Sequence, residues 1–456
     1  MRREIAAAYA MTGARIAAVL AVTAVVYRTA GKDQFGLLFL VLTTIGILEY
    51  ASLGLSPTMI HFAARARAGE GNRGEGDSSA TLSPGGPGLL EYASVSDSSS
   101  ELARVYAHGF RLGIFSAILA AIGLGILEWV MGSHALFGGV GARVLVGGIG
   151  AGTVVRLLAE APGALLQTTG RIAVDNLVQA GAEVVWAVGS IAGIVLGCHW
   201  DWSVGMAFVV ASGMLLGARL MLARQSIPAG ISGRIAIEWA LATRLLGFGL
   251  LVVAAQLADY LYAPTDLILI RRLLGPGAVA DYAPGVEVDS ALLLVVAALA
   301  GVLLPRTALA HARGDAEAAR RYYRRGTLAT AGLLAAAAVA AVIVAPVGFR
   351  IWLGDSMPVT VAILPLMLVN TVIGGSGAVG RSVLLAIGKV RAFTVSVLCA
   401  GVVNVVAAYV LVKYGHMGLR GIVLGTIIAV MGRCVVWMPW YVRRTLRSAS
   451  GPSGRL

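Results

Sequence analysis

Apolar residues run in long stretches along this chain, and polar residues gather in the gaps between them. The stretches lie at about 5–27, 35–58, 108–130, 143–166, 172–197, 203–223, 245–267, 282–304, 327–349, 359–386, 392–412 and 418–441. Each is close to the roughly 20 residues a helix needs to cross a bilayer's hydrocarbon core. The pattern predicts an all-α polytopic membrane protein with about 12 transmembrane helices. Pro162 and Pro365 fall inside the fourth and tenth stretches, where a kink is expected. An even number of crossings returns the C-terminus to the side of the N-terminus.

Composition supports this reading: 58% of the 456 residues are hydrophobic and 13% charged, where a soluble domain carries about 25% charged residues. The net charge of +13 raises nucleic acid as a partner, and the placement of the charges removes it. With the N-terminus inside, 24 of the 36 Lys and Arg fall in cytoplasmic segments and eight outside, which is the asymmetry that sets membrane orientation. These charges are expected to touch anionic lipid head groups. Cys198, Cys399 and Cys434 are odd in number and scattered, so no disulfide framework is implied. The histidines form no metal-binding spacing, and no cofactor is expected. Arg2 and Arg3 precede an apolar run as in a signal peptide. The A-x-A of Ala8–Ala10 precedes the long stretch instead of following it, so an uncleaved first span is expected.

The chain reads as two similar halves. GLSPTMIHFAARARAGE (Gly54–Glu70) resembles GVLLPRTALAHARGDAE (Gly301–Glu317), LLQTTGR (Leu165–Arg171) resembles LLAIGK (Leu384–Lys389), and GKDQFG after the first span answers GPGAVADY after the seventh. Six spans per half keep both halves in the same orientation. This predicts a pseudo-twofold axis along the membrane normal, with a site between the halves. The expected organisation is a six-helix bundle over 1–223, a cytoplasmic linker over 224–244, a second bundle over 245–442 and a basic tail over 443–456. Residues 66–103 form a Gly/Ser/acid mixture too poor in apolar residues to order itself, and are expected to be a disordered cytoplasmic loop. Within that loop GLLEYASV (Gly88–Val95) nearly repeats GILEYASL (Gly46–Leu53).

Charges at hydrocarbon depth carry the candidate chemistry, because each costs roughly 2.5–3.5 kcal/mol on insertion scales. Arg15 and Arg156 lie near the middle of their spans, and Arg381 nearer the cytoplasmic end of the tenth. Glu160 stands one turn from Arg156, where the two could neutralise each other. Three arginines suit an anionic ligand with several oxygens, such as a diphosphate, because guanidinium forks match phosphate geometry. Glu183, Asp259 and Asp266, with Pro264 to bend the seventh span, are the candidates for ion coupling or gating. A helix-end cap or an interhelical hydrogen bond is the plainer role for Asp266 and Glu183. GGIGAG (Gly147–Gly152) has no strand before it and no Lys-Ser/Thr after it, so it is not a phosphate loop.

GKDQFGLLFLVLT (Gly31–Thr43) followed by GLSPTMIHFAARA resembles the start of the bacterial polysaccharide flippases. These are a family within the multidrug/oligosaccharidyl-lipid/polysaccharide exporter superfamily. DLILIRRLLGPGAVADYAPGVEV (Asp266–Val288), the stretch Val302–Gly326, LLAIGKVRAFTV and KYGHMGLRGIVLGT (Lys413–Thr426) resemble its second half. The resemblance implies a multi-pass protein of the bacterial inner membrane with cytoplasmic termini. It would move undecaprenyl-diphosphate-linked oligosaccharide by alternating access, for O-antigen, capsule or exopolysaccharide synthesis, and would not be an enzyme. A proton or sodium gradient and a polysaccharide polymerase are the further partners it suggests. The alternatives are a cation-coupled multidrug exporter of the same fold and, less favoured, a membrane-embedded polysaccharide polymerase. The family carries no invariant catalytic motif to transfer, so Arg15, Arg156 and Arg381 rest on membrane depth alone.

Overall fold

The computed structural model describes residues 2–49, 95–133, 140–225, 263–293, 316–386 and 389–448, with isolated positions 52, 55, 56, 58, 59, 239 and 243. The described helices are α1 (Arg2–Ala30), α2 (Lys32–Glu49), α3 (Val95–Ser133), α4 (Val140–Thr168), α5 (Ile172–Val195), α6 (Trp200–Arg224), α7 (Ala263–Leu273), α8 (described over 276–293), α9 (Ala316–Leu353), α10 (Pro358–Ala386), α11 (Val390–Lys413), α12 (Gly418–Met431) and α13 (Met438–Ser448). A π-helical turn, Gly432–Trp437, joins the last two without a break.

Among the described residues nine helices are long and apolar enough to cross a membrane. The chain is a multi-pass, all-helical membrane protein. The predicted spans at 35–58, 245–267 and 282–304 run partly into residues outside the described set. α4 and α10 run through Pro162 and Pro365, as the spans at 143–166 and 359–386 do. Two boundaries differ from the sequence reading. α7 runs on to Leu273, past the expected end at 267, with Asp266 in its first described turn. The last nine residues of the expected 66–103 loop are helical, as the start of α3, and 66–94 lie outside the described residues.

Large apolar side chains face outward, as they must when the solvent is lipid. Ile114, Ile118, Ile122 and Ile126 repeat every four residues along α3 and are 41–58% exposed, so they form one stripe on one face. Where helices cross most tightly the facing positions carry small residues, which lets helix backbones approach closely. A Cβ added at Gly148 of α4 would lie 2.6 Å from Gly205 Cα of α6, and one at Gly425 of α12 would lie 2.6 Å from Ala408 N of α11.

The packing forms two compact units, Met1–Val22 with Ile45–Val253, and Thr23–Thr44 with Ala254–Leu456. The bundles expected over 1–223 and 245–442, with a linker over 224–244, are kept as a proposal. The local geometry of the repeat is preserved. Arg171 N–H donates to Leu166 O at 2.8 Å, and Lys389 N–H donates to Leu384 O at 2.8 Å. Arg171 and Lys389 then open α5 and α11 with nearly the same backbone angles (φ −95°, ψ 32° and φ −89°, ψ 40°). Gly31 and Gly275 also match, at φ 94° and 91°, where glycine closes a helix and admits the next.

The segments that follow those two glycines meet in the second unit. A Cβ at Gly36 would stand 3.1 Å from both the Cβ and the N of Ala280, its counterpart in the repeat. Counterparts touching one another is what a twofold axis requires of residues beside it. The same region is tied by charge and aromatic contacts: Lys32 pairs with Asp281 at 2.6 Å, and Arg28 donates to the carbonyls of Ile351 (2.7 Å) and Trp352 (3.1 Å) at the C-terminus of α9. A cation there also meets the negative end of the helix dipole. Phe35 packs edge-on against Tyr27 and Trp352. The Tyr27 hydroxyl donates to Asp355 at 2.7 Å. Asp355, in the turn between α9 and α10, is held below the ordinary carboxylate range, first by that hydroxyl and then by the Met357 N–H. The carboxylate therefore stays ionised at neutral pH. Its contact is present above the ordinary value of 3.8 and is lost only as pH falls through the lowered one.

Candidate functional site

In the first unit, α4 and α6 pack along a seam opened by Gly148, Gly152 and Gly205. Gly148 and Gly152 belong to GGIGAG, which lies in the interior of a helix and serves close packing. Two turns beyond Gly148 on the same face of α4 comes Arg156. Its Nη1 donates to Glu183 Oε1 at 2.8 Å and its Nε to Ser212 Oγ at 3.2 Å, while its Cζ stands 4.3 Å from the centre of the Phe208 ring. Trp186 supports Phe208 edge-on at 5.7 Å. The Arg156 side chain is 18% exposed and that of Glu183 5%. Nη2 of Arg156 is buried and meets no hydrogen-bond acceptor among the described residues. The site is a nearly buried, charge-balanced pair with both N–H groups of Nη2 to spare. An anionic oxygen could take them, and loss of the Glu183 charge would leave Arg156 free to bind a second.

The partner differs from the one sequence proximity suggested. Glu160 shares the face of Arg156 one turn away, yet the ion pair forms with Glu183 on the neighbouring helix. Arg156, Glu183 and Ser212 lie at one depth, each about three turns from the same ends of α4, α5 and α6.

A second pair was not singled out by sequence reasoning. Arg219, inside the predicted span at 203–223, is 4% exposed in α6. Its Nε donates to Asp175 Oδ1 at 2.8 Å and its Nη2 to Asp175 Oδ2 at 3.2 Å, while Nη1 reaches the Ala159 carbonyl at 3.2 Å. Gln167 donates to the same carboxylate at 2.9 Å. This two-pronged pair is closed off, with Asp175 at 0% exposure, and reads as a structural clamp. The available signal was again depth: Asp175 is one turn into α5 and Arg219 about one turn from the end of the antiparallel α6.

In the second unit Asp266 is buried at 2% exposure and gathers neutral donors from other helices: Asn404 Nδ2 at 2.9 Å and Thr426 Oγ1 at 2.9 Å, with the Tyr282 hydroxyl also bonded to it. No cation meets it among the described residues. Of the two plainer roles expected for Asp266, the interhelical hydrogen bond is the one observed. A carboxylate ringed by hydroxyls and an amide can hold a proton or accept a small cation. In the same unit the Thr371 hydroxyl of α10 donates to Asp289 of α8.

The remaining candidates are dispersed. Arg15 belongs to the first unit and is exposed on α1, with no hydrogen bond or ion pair among the described residues. Arg381, in the second unit, stands about one turn from the end of α10 with its Cζ 5.5 Å from the Phe393 ring centre. The described contacts join neither residue to Arg156. Pro264 lies in the first described turn of α7, its ring outside the described residues, as is Asp259. No group of His, Cys, Asp and Glu among the described residues could hold a metal ion.

Comparison with known proteins adds the following. Residues 184–362 match the family described as polysaccharide biosynthesis protein. A stretch of 192 residues is 26% identical to the uncharacterized membrane protein EpsK of Bacillus subtilis (strain 168), covering 41% of this chain and 37% of that one. The match thus spans little more than a third of that relative's length. Among solved structures, an inward-facing multidrug resistance MATE family transporter of the MOP superfamily superposes with a TM-score of 0.78 at 16% identity, over 97% of this chain and 96% of that one. The lipid II flippase MurJ, in an inward closed conformation, superposes with a TM-score of 0.67 at 13% identity, over 98% and 90%. The chain resembles the polysaccharide flippases of this superfamily, as its motifs indicated, and it has the superfamily's fold.

Proposed function

We propose that this protein is a flippase of the bacterial inner membrane that moves undecaprenyl-diphosphate-linked oligosaccharide outward by alternating access, for O-antigen, capsule or exopolysaccharide assembly. It transports its passenger and does not transform it. The observation that carries the reading is Arg156, a guanidinium at mid-membrane depth with its Nη2 left unfilled beside a carboxylate that balances its charge. Such a residue is costly in lipid and suits a passenger bearing phosphate oxygens. We assign Arg15 and Arg381 to the same anionic end of the passenger. The match to a polysaccharide biosynthesis family and the likeness to a protein described as a lipid II flippase support the choice of passenger.

The test has two parts. Cells lacking the protein are expected to accumulate lipid-linked repeat units on the cytoplasmic face, and normal outward delivery in those cells would end the proposal. In vesicles with a defined undecaprenyl-diphosphate oligosaccharide, Arg15→Ala is expected to slow transport with the protein still inserted, because an exposed side chain contributes little to packing. Unchanged transport would remove Arg15 from the site. Arg156→Gln is expected to slow transport more, and Glu183→Gln should restore part of the fold in that background by removing the stranded carboxylate.

A cation-coupled multidrug exporter is the second reading, and the Asp266 cluster favours it. Glu183, Asp259, Asp266 and the Pro264 bend remain our candidates for coupling or gating under either reading. Asp266→Asn keeps the size of the side chain and can still hydrogen-bond to Asn404 and Thr426, but it cannot titrate. Transport that follows a proton or sodium gradient should lose its dependence on that gradient in this variant. An undiminished dependence would place coupling elsewhere. Drug sensitivity on deletion, with normal lipid-linked intermediates, would favour the exporter over the flippase.

A further inference from the structure

A lateral groove in the second unit has a built-in polarity of its own. It encloses about 670 Å³ between α11 and the helix formed by α12, the π turn and α13. Val403, Ile428 and Ala429 line one end, and Arg391, Trp440 and Tyr441 line the other, with Arg433 and Trp437 between. Arg391 opens α11, and Trp440 and Tyr441 lie in α13, on the side that the charge asymmetry assigns to the cytoplasm. The lining residues include two arginines and no Asp or Glu.

The π turn is what puts these residues on one wall. At about 100° per residue an unbroken α-helix would spread Ile428 through Tyr441 over about 220° of its circumference. The extra residue of a π-bulge turns everything after it back by about 100°, so Ile428, Gly432, Trp437, Trp440 and Tyr441 fall within about 120°. Pro439, which cannot donate to the Val435 carbonyl, stands just beyond the turn and favours the break. Trp437 and Tyr441 stack at 4.9 Å, and Arg444 lies over Trp440 at 5.5 Å, which rigidifies the charged mouth.

We propose that this groove binds an anionic phospholipid of the cytoplasmic leaflet, its phosphate held at the mouth by Arg391 with Arg433 next along the wall, and one acyl chain lying along Val395, Val403 and Ile428. Cationic side chains without a carboxylate among the lining residues select a negative head group. Trp and Tyr at the same level suit the membrane interface, where their rings are half wet. The apolar far end rules out a free soluble phosphate as the natural occupant. The proposal does not depend on the identity of the transported molecule.

The experiment uses the full-length protein in detergent, titrated with phosphatidylglycerol and phosphatidylcholine of identical chains and read by native mass spectrometry. Phosphatidylglycerol is expected to bind about tenfold or more tightly than phosphatidylcholine. Arg391→Gln, a change at an exposed helix start, should remove most of that preference with the fold intact. Cys399→Trp, which fills the groove, should remove binding of both lipids. Equal binding of the two lipids, or an Arg391→Gln variant that keeps the full preference, would overturn the proposal. Undecaprenyl phosphate displacing phosphatidylglycerol from the wild type, but showing no binding to Cys399→Trp, would also overturn it and give the groove to a prenyl carrier.

Discussion

Arg219→Ala is expected to destabilise the first unit by about 3–5 kcal/mol, enough to abolish the folded protein, because it strands a carboxylate in the interior. Asp175 is fully buried, and Arg219 supplies two of its three side-chain donors. Gln167 alone cannot balance a charge. The measurement is monodisperse yield and thermal unfolding of detergent-purified protein. The double variant Asp175→Asn with Arg219→Met should recover much of the loss, since it removes both charges while keeping the volume. If the single and double variants were equally damaged, the clamp would be acting through shape and not through charge. The contrast with Arg156 is informative. Its pair is partly accessible and incompletely satisfied, and polar groups left in that condition are more often functional than structural.

Gly148→Ala is expected to be the second most damaging change, and more damaging than Gly205→Ala although the two glycines face each other. A Cβ at position 148 would meet Gly205 backbone at 2.6–3.1 Å, whereas one at position 205 would find Gly148 Cα at 3.3 Å and other backbone beyond. Backbone cannot rotate away as a side chain can, so α4 and α6 must separate, at a cost of about 1–3 kcal/mol or more. That separation should also lengthen the reach from Arg156 to Ser212 and slow transport. Gly181→Ala on α5 has nothing within 4 Å of its added carbon and serves as the control. It should be neutral or slightly stabilising, since alanine favours the helix. Equal thermal shifts for Gly148→Ala and Gly205→Ala would show that the seam yields more than its geometry implies.

Much of the fold was legible in the sequence because a bilayer permits few solutions: a spanning segment must be a helix of a certain length, and apolar stretches mark it. The repeat was legible as well: LLQTTGR and LLAIGK share little beyond their leucines and the final glycine–cation pair, yet Arg171 and Lys389 make matching backbone hydrogen bonds at their ends. The site was less legible. Arg156 was singled out for its depth, but its partner was sought on its own helix, where spacing is easy to count. The pairs that formed join residues on different helices: Arg156 with Glu183, Arg219 with Asp175, and Asp266 with Asn404 and Thr426. Sequence fixes depth along each helix. Which faces turn toward each other depends on packing, and here on where glycines allow close approach. Arg219 was passed over for a related reason. A cation near a helix end looks like a surface charge until a carboxylate at the same level is sought on the next helix.

The contact between Gly36 and Ala280 carries a consequence for how the chain can change over generations. If the halves descend from one ancestral segment, its two descendants meet at this crossing, and the space between them is shared. A methyl already occupies one side, and 3.1 Å remains to where another would go. The two copies therefore cannot drift independently here: a side chain added at position 36 meets the backbone of Ala280 as well as its methyl, so the crossing itself must open by a few tenths of an ångström.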